Sequence, residues 1–351
     1  MQLIKDWFSR VFSDPQIMIL AVILIVLFSG VILTGDILAP VFIAAILAYL
    51  LEGPVGKMEY WGLSRFLASS IVFAIFTLLL LVIIFGLGPM LYHQSVALAS
   101  ELPQLFSSGR TLLMALPESY PEQVTAYQIN QVIAGLSDEI NLVTQDLLGR
   151  TLQFGAAFTY VMVVTVLVPF LVFFMLKDKR KMQKWFKGFL PQDYRLAGSV
   201  WREVDVQIGN YVRGKAIEII VIGGVSFIAF VLFGLNYALL LAALVGLSVL
   251  VPYIGATLVT IPVMAVGFLQ WGPGDTLFWL FMTYGVIQVL DGNVLVPILF
   301  SEVVNLHPIA IIVAVLFFGG IWGVIGVFFA IPLGTLVNAV INAWPRAKAH
   351  A

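Results

Sequence analysis

A chain of 351 residues in which 61% are hydrophobic and 11% are charged is not a soluble globular protein, where about a quarter of the residues carry a charge. The mean hydropathy of +1.04 predicts an all-α polytopic membrane protein, and the net charge of −1 argues against nucleic-acid partners. Cysteine is absent and the three histidines are far apart in the sequence, so we expect no thiol chemistry, metal site, cofactor or enzymatic activity.

The first half of the chain predicts four transmembrane helices and an outer segment. Residues 1–92 hold three apolar segments, in which Asp36 is expected to cap the second and Gly86–Pro89 to end the third. The polar, acidic residues 93–150 are expected outside the membrane, and a fourth helix over residues 151–176. One face of the outer segment carries Ile129, Val132, Leu136, Ile140, Val143 and Leu147. We expect this face to pack against the same chain or against a neighbouring subunit.

A basic loop over residues 177–215 predicts the orientation in the membrane. It contains ten Lys or Arg residues and four acids, and basic loops stay in the cytoplasm. We therefore expect both termini inside, including the tail at residues 346–351. Aromatic residues alternate with lysines in Lys177–Lys187, which is typical of a helix that lies on anionic lipid headgroups. The remaining stretch, residues 216–345, is expected to be the transport core.

Two long apolar runs in this core are interrupted at matching places. With a shift of 70 positions, Pro252–Gly255 aligns with Trp322–Ile325, next to Gly326, and Ile261–Pro262 aligns with Ile331–Pro332. The runs are Asn236 to Gln270 and Leu306 to Trp344. As one helix, the 35 residues of the first run would reach about 52 Å, against a hydrocarbon core of about 30 Å, so we expect broken or re-entrant helices. Paired broken helices indicate a transporter binding site. The alternative is that two Gly-rich apolar segments of a membrane protein resemble each other by chance.

Ionisable and amide residues in the core are candidates for ion coupling. Glu218 could carry a proton if it is desolvated, or it could be a surface carboxylate near Lys215. Asp291 and Asn293 could bind a cation or a hydroxylated solute, or could form a turn. His307 could titrate near neutrality or only begin a helix. No phosphate-binding Gly-rich motif is present, so we expect any transport to be driven by gradients.

Several motifs together resemble a known family. These motifs are Pro40–Leu51, Gly234–Leu241, Val251–Gly255 with Ile261–Pro262, Asp291–Pro297, and Leu306–Pro308 followed by Gly319–Gly320, Gly326 and Pro332. Over nearly the whole chain, the sequence resembles the autoinducer-2 exporter family, also called the PerM-like permeases. The resemblance implies a bacterial inner-membrane protein with about eight transmembrane helices, re-entrant elements in the C-terminal half and homo-oligomeric assembly.

The resemblance implies export of a small polar solute, such as a furanosyl signalling molecule, or exchange of sodium or lithium for protons. A passive pore or membrane scaffold is the alternative of another class. The residues that the family motifs place along the transport pathway are Pro252, Tyr253, Gly255, Asn293, Pro297, His307 and Pro308. The proposed roles of Glu218 and Asp291 in proton or ion coupling depend on the physical argument, since the family pattern requires no acid at position 218.

Overall fold

The computed structural model describes residues 15–119, 127, 130–131, 154–188, 195–252, 254–300 and 306–343. Every regular element within these ranges is helical, which confirms the all-α class. Five of the described helical stretches are long and apolar enough to cross a membrane: Leu38–Tyr60, Arg65–Glu101, Val204–Phe233, Ile254–Trp271 and Asp275–Phe300. Shorter apolar helices accompany them at Thr165–Lys177, Ala238–Ser248, Ile309–Gly323 and Gly326–Val340. The chain is thus a polytopic membrane protein.

The described helices are numbered here in chain order. They are α1 (Pro15–Tyr60), α2 (Arg65–Val82), α3 (Gly88–Ser119), α4 (Phe154–Lys177), α5 (Lys179–Lys187), α6 (Arg195–Phe233), α7 (Ala238–Ser248), α8 (Ile254–Trp271), α9 (Asp275–Leu290), α10 (Val296–Phe300) and α11 (Pro308–Ala343). Two π-helical turns, Ile83–Leu87 and Asp291–Leu295, connect α2 to α3 and α9 to α10.

Two predicted helix boundaries in the first half are wrong. Helix α1 runs through Asp36 without interruption, because an aspartate weakens a helix but removes no backbone hydrogen bond. Gly86–Pro89 does not end the third segment either, since the π-helical turn Ile83–Leu87 leads directly into α3. A proline lacks the backbone N–H that the preceding turn would use, and a wider turn accommodates that loss.

Some predictions concern residues outside the described ranges. The apolar face that includes Ile129, Val132, Leu136, Ile140, Val143 and Leu147 is one of them, so its partner stays a prediction. Tyr253 also lies outside the described residues.

The chain divides into two compact units. The first contains residues 1–75, 166–218 and 295–351, and the second contains residues 76–165 and 219–294. Each unit includes one of the two interrupted apolar runs, α11 in the first unit and α7 with α8 in the second.

In the second unit, α7 and α8 form a helical hairpin. At its open end, the Gln270 side chain accepts a hydrogen bond from the N–H of Asn236 (2.8 Å) and donates one to the carbonyl of Gly234 (2.6 Å). At its tip, a Cβ on Gly255 would lie 2.7 Å from the carbonyl carbon of Ser248. The 11 residues of α7 rise about 17 Å, so this arm reaches only about halfway across a membrane.

In the first unit, α11 forms a similar hairpin. It bends at Gly323, whose φ of 59° and ψ of −137° require a residue without a side chain. A Cβ on Gly326 would lie 2.6 Å from the carbonyl carbon of Phe318. Ser248 and Phe318 are 70 positions apart, and Gly255 and Gly326 are 71 apart, so the two close approaches lie at matching positions of the two apolar runs. The internal repeat itself stays a prediction.

Candidate functional site

Helix α6 carries three polar side chains on one buried face. Tyr211, Lys215 and Glu218 are spaced i, i+4 and i+7, which places them above one another on a helix. They are 1%, 5% and 2% exposed, respectively, although they lie within the apolar span Val204–Phe233. The Lys215 Nζ is 2.8 Å from the Glu218 Oε2. Glu218 is therefore not a surface carboxylate, and its role in proton coupling stays a prediction.

Aromatic rings lie beside this polar face. The Lys215 Nζ lies 5.2 Å from the centroid of the Phe300 ring, a distance at which a cation is attracted to the face of an aromatic ring. The Tyr211 ring is 5.8 Å from Phe300 and 5.7 Å from Phe328. A Cβ on Gly214 would lie 2.6 Å from Phe300, so glycine is needed for α6 to approach this ring.

The same aromatic cluster extends into the second hairpin. Its buried members, besides Tyr211 and Phe300, are Ile311, Ala314, Val315, Phe318, Ala330 and Ile331, which all belong to α11. The buried face of α6 therefore lies beside the hairpin that Gly323 and Gly326 shape. A charged pair and a broken helix are thus neighbours within one compact unit.

This arrangement is energetically expensive. Taking two charges out of water costs several kcal/mol per ion, and their attraction only partly offsets that loss. The hydroxyl of Tyr211 is buried and has no hydrogen-bond partner in the described part of the chain, which costs a further 1–3 kcal/mol, approximately. Packing alone would favour apolar side chains at these positions, so this polar face is the strongest functional candidate.

Three predicted pathway residues lie near the second hairpin in the sequence. His307 is exposed, its Nδ1 accepts a hydrogen bond from the N–H of Ile309 (3.3 Å), and its carbonyl accepts hydrogen bonds from Ala310 and Ile311. These bonds are those of a residue that begins a helix, and Pro308 is the first residue of α11. Pro297 is exposed on α10. The transport role of all three residues stays a prediction.

The other predicted residues belong to the second unit. Pro252 and Gly255 are at the tip of the first hairpin. Asp291 is buried in the second π-helical turn, whereas Asn293 is exposed and donates a hydrogen bond to the carbonyl of Val289 (2.9 Å). Asp291 and Asn293 therefore do not share one environment. Over the described ranges, no group of three or more His, Cys, Asp or Glu residues could hold a metal ion.

The start of the first hairpin is held by α3. Tyr237 has a left-handed backbone conformation with φ of 58°, which is uncommon for a residue other than glycine. Burial and a hydrogen bond to the carboxylate of Glu101 raise the pKa of Tyr237 to about 12. The Gln94 Oε1 accepts a hydrogen bond from the N–H of Leu240 (2.9 Å). Side chains of α3 thus fix the position of the first arm.

Sequence reasoning missed Lys215, Tyr211 and Phe300 as parts of one site. A signal for two of them is present in the sequence, because the apolar residues of the inner loop recur every three or four positions, at Leu196, Val200, Val204, Ile208 and Tyr211. Continuing that spacing leads to Lys215 and Glu218, which places both on the buried face. The contact with Phe300 depends on tertiary packing and has no sequence signal.

Comparisons with known proteins show the family of the chain. Residues 19–346 match the family described as AI-2E family transporter. The chain is 44% identical over 348 residues to PerM, a candidate permease of Escherichia coli (strain K12), with 99% of each chain covered. It is 29% identical to the candidate transport protein YueF of Bacillus subtilis (strain 168), over 86% of this chain and 82% of that protein. It is 23% identical to the AI-2 transport protein TqsA of Escherichia coli (strain K12), over 93% and 92% of the two chains. The chain therefore belongs to the AI-2E family of transporters.

Proposed function

We propose that this chain is a secondary transporter that exports a small polar solute across the bacterial inner membrane. The buried polar face of α6, formed by Tyr211, Lys215 and Glu218, is the observation that carries the proposal. Ionisable groups inside a transmembrane helix are costly, and they typically mark substrate or proton pathways. Autoinducer-2 is the first solute to test, because the name of the relative TqsA includes it.

The three side chains suit a solute that carries hydroxyl groups. The Lys215 ammonium donates hydrogen bonds, the Glu218 carboxylate accepts them, and the Tyr211 hydroxyl does both. The ring of Phe300, beside Lys215, offers an apolar surface for the carbon atoms of the solute. These groups would replace the water molecules that the solute loses on leaving the aqueous phase.

The ion pair between Lys215 and Glu218 provides a mechanism for proton coupling. When Glu218 is ionised, its carboxylate forms an ion pair with the Lys215 ammonium at 2.8 Å, and the solute has to compete with this contact. Protonation of Glu218 removes the attraction between the two groups and makes the ammonium available to the solute. One proton bound and released at Glu218 would then accompany each transport cycle.

The hairpins supply further parts of the proposed pathway. Where a membrane helix is broken, backbone N–H and C=O groups become available to a solute. The residues that we assign to the pathway on this basis are Pro252, Tyr253, Gly255, Asn293, Pro297, His307 and Pro308. The basic residues 177–215 support an orientation with both termini in the cytoplasm, and the apolar face from Ile129 to Leu147 supports assembly into a homo-oligomer.

A sodium or lithium ion exchanged for protons is the second candidate cargo. Asp291 favours it, because this buried acid lies in a π-helical turn, an irregularity that is frequent at functional sites. The neighbouring Gln288 has a buried amide nitrogen without a hydrogen-bond partner in the described residues. A passive pore would need neither acid for flux.

Proteoliposomes that contain autoinducer-2 and a pH-sensitive dye test these functions. We expect the wild type to release the solute with a simultaneous proton movement, and Glu218→Gln and Lys215→Met to reduce release at least about tenfold. Asp275→Asn, which changes an exposed acid in the first turn of α9, is the matched control and should behave as the wild type. If Glu218→Gln releases the solute as fast as the wild type does, the assigned site is refuted.

The same vesicles distinguish the alternatives. A proton movement that requires sodium and disappears in Asp291→Asn would favour the antiporter. Solute release without any proton movement would indicate a passive pore, and no flux of solute or cation would indicate a scaffold.

A further inference from the structure

Helix α5 is a short basic helix that directly follows an apolar one. Only Asp178 separates α4, which ends at Lys177, from α5. Between Lys177 and Lys187, the sequence contains six Lys or Arg residues and one acid. The structure divides the described cations of this segment into two groups with different environments.

The first group is engaged in contacts within the protein. The Nζ of Lys177 lies 5.3 Å from the Phe174 ring and 5.9 Å from the Phe66 ring. The Nζ of Lys179 is 3.1 Å from the Oε1 of Glu52. These contacts attach the start of α5 to α1, α2 and α4, so they explain Lys177 and Lys179 without an external partner.

The second group is largely exposed. Arg180 lies 3.5 Å from Glu59 and Lys181 lies 2.9 Å from Asp178, but these ion pairs leave the Arg180 and Lys181 side chains 81% and 82% exposed. Lys184 is also exposed. At 3.6 residues per turn, these three positions lie within an arc of about 100°. Met182 and Trp185 are exposed as well and occupy the adjacent arc. The outer surface of α5 thus has a basic side next to an apolar side.

Neighbouring aromatic residues indicate the depth of α5 in the membrane. Tyr60 and Trp61 are exposed at the end of α1, and such residues are enriched at the level of the lipid headgroups. Glu59, next to Tyr60, forms an ion pair with Arg180 (3.5 Å). This contact places α5 at the same level as the exposed aromatic residues, because all of these residues belong to one compact unit.

We propose that Arg180, Lys181 and Lys184 bind the headgroups of anionic phospholipids, with Met182 and Trp185 inserted among the upper acyl carbons. A helix with this pattern lies in the plane of the interface, and its charges complement the anionic cytoplasmic leaflet. Each cation near such a surface contributes about fivefold in affinity. The helix would therefore anchor the start of the inner loop and keep it at the membrane surface.

The number of lipids bound to the full-length protein in detergent, counted by native mass spectrometry, tests this proposal. Phosphatidylglycerol and phosphatidylcholine with identical acyl chains are the probes. We expect the wild type to prefer phosphatidylglycerol over phosphatidylcholine. In the double variant Lys181→Gln with Lys184→Gln, the ratio of bound phosphatidylglycerol to bound phosphatidylcholine should fall by about 5-fold to 25-fold. The preference should also weaken with added salt.

The matched control is Lys177→Gln with Lys179→Gln. It removes the same number of positive charges, but from side chains that lie over the rings of Phe66 and Phe174 or pair with Glu52. We expect this variant to keep the preference for phosphatidylglycerol. An unchanged preference in the Lys181 and Lys184 variant, an equal loss in both variants, or displacement of the lipid by millimolar inorganic phosphate would overturn the proposal.

Position in the bilayer provides a second readout that does not depend on counting lipids. Because the chain contains no cysteine, Met182→Cys gives a single site for an environment-sensitive fluorophore. In nanodiscs, adding phosphatidylglycerol to phosphatidylcholine should shift the emission to the blue. Equal emission in both membranes would contradict insertion of this side of α5.

Discussion

The tips of the two hairpins should not tolerate a single added methyl group. A Cβ at Gly255 would lie 2.7 Å from the carbonyl carbon of Ser248, and one at Gly326 would lie 2.6 Å from that of Phe318. The carbonyl oxygens of Ser248 and Phe318 would lie closer still. Carbon atoms in contact prefer about 3.5–4.0 Å, so each pair of arms would have to separate by at least roughly 1 Å. Overpacking of this kind costs at least about 1–3 kcal/mol. Gly255→Ala and Gly326→Ala should therefore both destabilise the protein.

Thermal unfolding of the purified variants, followed by tryptophan fluorescence, measures this effect. At about 2–4 °C per kcal/mol, we expect both variants to melt several degrees below the wild type. Gly320→Ala is the matched control, because a Cβ there meets no atom within 4 Å and alanine is a better helix former than glycine. It should melt at or slightly above the wild type. If Gly255→Ala and Gly326→Ala behave as Gly320→Ala does, the hairpin tips are not closed by these contacts.

Three further predictions concern charged and polar contacts. Lys215→Met should lower the unfolding free energy by about 3–5 kcal/mol, because Glu218 is left buried and unpaired. The double variant of Lys215→Met with Glu218→Gln should recover most of the melting temperature but not transport. A double variant as unstable as Lys215→Met alone would contradict this. Tyr237 has a folded pKa of about 12 against a usual 10.0, so its contribution to stability is complete below pH 10 and is lost as the pH rises to 12. Alkaline unfolding should show this loss in the wild type and less of it in Glu101→Gln, and identical curves would disprove it. Arg65→Lys should lower the unfolding free energy by about 1–3 kcal/mol. The Arg65 guanidinium donates hydrogen bonds to the carboxylates of Glu52 and Glu59 and to the carbonyl of Leu176 near the end of α4, and an ammonium cannot replace this fork. An unchanged melting temperature would refute this.

The membrane class and the interruptions of the two apolar runs could be predicted from the sequence. Hydropathy depends on composition, which no tertiary contact changes, and a run of 35 apolar residues is too long for one straight crossing. The breaks were predictable because Pro252–Gly255 and Gly323 combine residues that interrupt helices with residues that permit unusual backbone angles. The helix boundaries were less predictable, as the uninterrupted passage of α1 through Asp36 shows.

The candidate site depended on tertiary structure. From the sequence, Glu218 was equally consistent with a membrane-embedded acid and a surface carboxylate, because it lies three positions after Lys215 in either case. Only packing decides which face of α6 is covered. In the folded chain that face carries Tyr211, Lys215 and Glu218, and the Phe300 ring lies near Tyr211 and Lys215. The physical reason is that periodicity along one helix shows which residues share a face, whereas burial depends on neighbours that are distant in the sequence.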